Sequence, residues 1–81
     1  MQLTVLFFAQ ARERAGIATT SIAVPDGARV SDALDEIVRA HPALGSLRGH
    51  LAVAQDGVIV RAGDLLRDGG ELALLPPVSG G

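Results

Sequence analysis

Apolar and polar side chains alternate from the first residues: Leu3, Val5 and Phe7 fall on one side of an extended segment, Gln2 and Thr4 on the other. That two-residue period, carried by strand-forming residue types, predicts a first strand over residues 2 to 8. Ala9 to Ala15 then has helix-forming composition and stops at Gly16, which predicts a helix of one or two turns with a glycine cap. Residues 19 to 24 alternate more weakly and run into the turn signal Pro25-Asp26-Gly27, a second strand antiparallel to the first. Next the period changes. Val30, Ala33, Leu34, Ile37, Val38 and His41 recur at three- and four-residue steps, with Asp32, Asp35, Glu36 and Arg39 on the other side. This is the main helix. Ser31 and Asp32 put oxygen acceptors and negative charge in its first turn, and Pro42 ends it by biasing His41 out of helical geometry. Residues 51 to 54 and 58 to 60 flank Asp56-Gly57, a pair suited to a type I′ hairpin turn. Asp68-Gly69-Gly70 makes a further turn before the last strand, residues 71 to 75.

The order ββαβββ with one long helix requires a mixed sheet with one face covered. An α+β fold of the β-grasp type meets that requirement: a mixed five-stranded sheet packed on one main helix. The helix supplies the crossover that lets the last strand enter the centre of the sheet, parallel to the first. Leu3, Val5, Phe7, Leu72 and Leu74 are then expected to bury against Val30, Leu34 and Ile37. Residues 1 to 75 form one domain, and residues 76 to 81 form an extended tail.

On this reading Leu6 and Phe8 point away from the helix, because successive strand residues alternate. Leu75 joins them, on the face opposite Leu72 and Leu74. Large apolar side chains on an uncovered sheet face indicate a docking surface, unless the short helix at residues 9 to 15 or a loop folds over them.

Composition narrows the function. The chain has 81 residues and a formal charge of -2 with only two aromatics, so it offers neither a basic field nor stacking groups for nucleic acid. No apolar run approaches the ~20 residues of a membrane span, and Met1-Gln2-Leu3-Thr4 carries no basic leader, so the expected location is cytoplasmic. With no cysteine there is no disulfide framework, thiolate metal site or thiol nucleophile. His41 and His50 lack partners at metal-ligand spacing and read as helix-end and loop residues, so no metal site is expected. Asp32, Asp35 and Glu36 read as a solvated helix face with favourable N-terminal charge rather than as acid catalysts. No phosphate-binding loop or nucleophile elbow occurs, and no cofactor is expected to bind.

The remaining candidate is the end of the sequence, Pro76-Pro77-Val78-Ser79-Gly80-Gly81. Pro76 and Pro77 lack backbone donors and have fixed φ, so the sheet is expected to stop near Leu75 and the tail to project. Gly80 and Gly81 have no Cβ, which gives a flexible end that can thread a narrow slot and expose its carboxylate to a neighbouring enzyme.

Val5-Leu6-Phe7-Phe8-Ala9-Gln10-Ala11-Arg12-Glu13 and residues 68 to 81, ending in Pro-Pro-Val-Ser-Gly-Gly, resemble the small subunit of molybdopterin synthase, of the MoaD/ThiS ubiquitin-like sulfur-carrier family. Within that resemblance, Ala54-Gln55 stands where some members have Asn-Gln, and Leu75 where others have Phe. The resemblance implies that an adenylating enzyme like the ubiquitin-activating enzymes uses ATP to convert the Gly81 carboxylate to an acyl-adenylate. A persulfide sulfur then displaces AMP, leaving a thiocarboxylate. The charged tail enters the large synthase subunit and donates sulfur to cyclic pyranopterin monophosphate in molybdenum cofactor biosynthesis. The implied assembly is a heterotetramer whose catalytic side chains lie on the large subunit, this chain not being an enzyme by itself. In that scheme Gly81 carries the acyl group, Gly80 passes the slot, Pro76 and Pro77 project the tail, and Phe8, Leu75 and Ile59 form the docking patch. Two other functions share the same chemistry: a sulfur carrier for thiamine or another thiolated metabolite, and a ubiquitin-like protein modifier.

Overall fold

Leu3, Val5 and Phe7 are buried on one side of the first strand, β1 (Gln2–Phe7), as their spacing requires. The computed structural model describes residues 1–76. After β1 come α1 (Ala9–Ala15), β2 (Thr19–Ala23), α2 (Val30–Ala40), β3 (Ala52–Gln55), β4 (Val58–Val60) and β5 (Glu71–Leu75), with 3-10 turns at Pro42–Leu44 and Arg48–His50. The strands form one sheet in the order β2-β1-β5-β3-β4, in which β1 and β5 are parallel and the other pairs antiparallel. This is the expected mixed sheet, with the last strand beside the first.

Val30, Ala33, Leu34 and Ile37 of α2 are buried and share a core with Leu3, Val5, Phe7, Leu72 and Leu74. Leu44 and Leu47 between α2 and β3 close one end of that core, and Leu66 belongs to it as well. Burying side chains of this size contributes about 1.5–3 kcal/mol each, so the alternating stripes of β1 and β5 and the helical stripe of α2 dominate the stability.

Several boundaries move by one residue. β1 ends at Phe7 rather than residue 8, because Phe8 is the N-cap of α1 and Ala9 turns into the left-handed region at φ 47. Gly16, at φ 77, caps the end of α1 as expected, and its N–H donates to the Arg12 carbonyl. β3 lies one residue later than expected, and Asp56 and Gly57 at φ 50 and 84 give the type I′ turn. A positive φ at both positions is the geometry that turn demands, and glycine adopts it at no steric cost.

The helix start also differs from expectation. Ser31 does not cap α2; Arg29 is the N-cap residue, and its N–H donates to the Asp32 carboxylate at 2.8 Å. The first free N–H groups, of Val30 and Ser31, donate to the Asp64 and Ala62 carbonyls, each at 2.9 Å. Residues 61 to 70 thus do the work a side-chain cap does elsewhere.

That segment is held by a buried polar side chain. Gln55 is 8% exposed, its Nε2 donates to the Leu65 carbonyl at 3.2 Å, and its Oε1 accepts from the Arg67 N–H at 2.9 Å. Removing one side of such an arrangement leaves donors and acceptors without partners. Gln55→Ala should therefore lower unfolding free energy by about 1–3 kcal/mol, read from the urea midpoint.

Candidate functional site

Strand register fixes which residues share the face turned away from α2. Leu6 is opposite Ala73, Ala73 opposite Ala54, and Ala54 opposite Ile59, a row that crosses four strands. One step nearer the end of β5, Leu75 is opposite Ala52. Phe8 lies beside them, since its N–H donates to the Leu74 carbonyl at 3.4 Å and its backbone is still extended. The outer face is therefore a continuous apolar surface. Phe8 is 44% and Ile59 63% exposed, while Leu6, Ala73 and Leu75 are half-buried.

The short helix does not cover this surface. The left-handed turn at Ala9 sends α1 to the α2 side of the sheet, where Ala11 is fully buried in the core and Arg14 donates to the Ser46 hydroxyl. Phe8 consequently forms one wall of a cleft of about 410 Å³ with Leu6, Ala9, Arg12 and Thr19. Pro76 follows Leu75 directly and is half-buried, so the tail begins at the margin of the apolar face. Pro77, Gly80 and Gly81, three of the tail residues singled out from the sequence, lie outside the described residues.

The other titratable groups have structural roles. His41 ends α2 and sets its ring edge against Phe7, with centroids 5.6 Å apart. Asp35 pairs with Arg48 and Glu36 with Arg39, both at the surface. The hydrogen bond from Arg39 holds the Glu36 carboxyl below its usual value, the opposite of what a general acid needs. Among the described residues no cluster of His, Cys, Asp or Glu could hold a metal ion, and no helix is long and apolar enough to cross a membrane.

The alternation of large residues identified Leu6, Phe8 and Leu75, but not the alanines at 52, 54 and 73 that floor the face between them. Small size is the signal that could have found them. Three alanines at inter-strand register make the middle of the surface low, so Phe8 and Ile59 stand at its two sides.

A mixed five-stranded sheet wrapped on one helix, with its last strand at the centre and an apolar outer face at that strand's end, defines a ubiquitin-like β-grasp protein. The chain belongs to the ThiS family, whose pattern matches residues 5–81. It is 43% identical over 83 residues to the molybdopterin synthase sulfur carrier subunit of Chlamydomonas reinhardtii, with all of both chains covered. The crystal structure of small archaeal modifier protein 1 from Haloferax volcanii superposes with a TM-score of 0.88 at 39% identity, covering 95% of this chain and 98% of that one. Subunits 1 and 2 of the molybdopterin-converting factor from Helicobacter pylori form a solved complex in which one chain matches at TM-score 0.71 and 26% identity, with full coverage of both.

Neighbouring residues on opposite faces give a direct check of this geometry. Phe7→Ala should cost about 3–5 kcal/mol of unfolding free energy, whereas Phe8→Ala should cost less than about 1 kcal/mol. Denaturant unfolding of the two variants, with circular dichroism to confirm the fold, measures both.

Proposed function

We propose that this chain is the sulfur carrier subunit of a molybdopterin synthase, acting through the carboxylate of Gly81. What carries the reading is the junction of two features: an apolar sheet face that ends at Leu75, and a Pro76-Pro77-Val78-Ser79-Gly80-Gly81 sequence that starts there. Full-length similarity to a relative named as such a carrier supports it.

The chemistry follows from what a carboxylate cannot do unaided. Its negative charge repels nucleophiles and it has no leaving group, so it must first be activated. An adenylating partner joins it to AMP from ATP and releases pyrophosphate. The terminal sulfur of a persulfide then attacks the carbonyl carbon and expels AMP, and reductive cleavage of the resulting acyl disulfide by a thiol leaves the thiocarboxylate. Gly80 and Gly81 present no Cβ to a narrow channel, and Pro76 and Pro77, lacking N–H groups, cannot extend the sheet ladder into the tail. Phe8, Leu75 and Ile59 seat the domain on a partner's apolar surface, and the large synthase subunit supplies the catalytic side chains for transfer to the pterin precursor. The solved complex of the two Helicobacter pylori subunits supports a two-subunit assembly.

A second reading is favoured by the likeness to small archaeal modifier protein 1. Activation is the same, but the acceptor is a lysine amine of another protein. This chain contains no lysine of its own, so chains cannot be built upon it through side chains.

Intact mass after incubation with ATP, the activating enzyme and a persulfide donor should rise by the difference between one sulfur and one oxygen, located at Gly81. No change would remove both carrier readings, and conjugates that survive reducing, denaturing gels would select the modifier. Phe8→Ala and Leu75→Ala should each weaken binding to the large subunit by about 1–4 kcal/mol, measured by calorimetry. One extra residue after Gly81 should abolish charging while leaving the unfolding midpoint unchanged.

A further inference from the structure

β2 is an edge of the sheet, and hydrogen bonds at its two ends fix which backbone groups face inward. The Val24 N–H donates to the Met1 carbonyl at 3.0 Å, and the Phe7 N–H to the Ala18 carbonyl at 2.8 Å. Bonded pairs alternate in an antiparallel ladder, so between those ends the inward residues of β2 are Ile22 and Thr20, opposite Leu3 and Val5. The other side of β1 agrees: the N–H groups of Thr4 and Phe8 turn toward Gly70 and Leu74. Thr19, Ser21 and Ala23 therefore aim their N–H and C=O groups away from the sheet, and all three residues are exposed. Among the described residues no backbone hydrogen bond from outside the ladder reaches them.

Edge strands of single-copy proteins are normally guarded by charge, proline, a bulge or short length. β4, the opposite edge, is guarded: it has three residues, and the Arg61 N–H just beyond it is taken by the Asp64 carboxylate at 2.8 Å. β2 has no such guard. No charged residue or proline occurs from Ile17 to Val24, and its five residues pair with β1 without a bulge.

We propose that this edge pairs with the same edge of a second copy of the chain, antiparallel, with Ser21 opposite Ser21. Thr19 and Ala23 stand two positions either side of Ser21, so one two-fold axis there lets Thr19 of each copy face Ala23 of the other and satisfies all three N–H and C=O pairs together. A partner identical to the chain itself fits because the side chains that meet are threonine, serine and alanine, with no like charges to repel. The same register brings Ile17, 39% exposed, toward Pro25 of the second copy. Leu75 and Ile59 lie beyond β1 and stay uncovered, whereas Thr19, which lines the cleft beside Phe8, meets the second copy. The pairing does not depend on the sulfur-carrier reading.

A five-residue edge buries less than the ~1,200 Å² of a stable interface, so the dissociation constant is on the order of 100 µM. Sedimentation of the full chain from about 10 µM to about 1 mM spans that range. The wild type should move from monomer to dimer, with amide exchange at Thr19, Ser21 and Ala23 slowing as concentration rises. Ser21→Pro removes one outward N–H and no ladder bond, and Thr19→Lys adds charge; each should weaken the dimer at least ~10-fold while keeping the monomer's circular dichroism. A wild type that stays monomeric throughout overturns the proposal, as does a dimer insensitive to both substitutions. An extended foreign peptide binding at β2 of a chain that never self-associates also overturns it.

Discussion

The parallel pairing of β1 with β5 is the contact on which the rest of this molecule depends. Val5 opposite Leu72 and Phe7 opposite Leu74 join the two most apolar strands at the centre of the sheet. Because the strands are parallel, the chain must cross from one edge of the sheet to the other between them, and α2 makes that crossing over one face. The same pairing decides where the chain leaves the domain. β5 runs in the direction of β1 and ends beside Phe8, so Leu75 and Pro76 emerge next to the exposed aromatic that follows β1.

The covered face is held by shape, but its far side is held by polar groups. Gln55 ties Leu65 and Arg67, while Asp56 exchanges hydrogen bonds with Glu71 through its carboxylate and its N–H, both at 2.9 Å. The segment so held bonds the first N–H groups of α2 and also buries Leu66. One glutamine at the end of a short strand thus links hairpin geometry to helix position, and Arg29 rather than a serine or aspartate occupies the N-cap.

Strand and helix periods were legible because β1, β5 and α2 each bury a single face, so the pattern of large apolar residues records it directly. The apolar outer face was half legible for the same reason: Leu6, Phe8 and Leu75 break the alternation and draw attention. Ala52, Ala54 and Ala73 break nothing, since alanine is ordinary on either face, and only register assembles them. Gln55 falls just past the strand expected over residues 51 to 54, and its residue type gives no sign of burial. Its burial follows from two backbone groups ten and twelve residues away, a pairing that no local window contains. The path of α1 was likewise settled by one left-handed alanine, a conformation residue type does not announce.

The low floor of alanines between Phe8 and Ile59 has a consequence for how such a surface is used. A deep, sculpted cavity commits a protein to one visitor, whereas a level ledge takes its relief from whatever is set upon it. Bulky side chains set on these strands find room above Ala52, Ala54 and Ala73, with Phe8 and Ile59 rising on either side. That step between tall and short side chains is written into the register of the strands, so one enlarged residue at 54 or 73 would fill it.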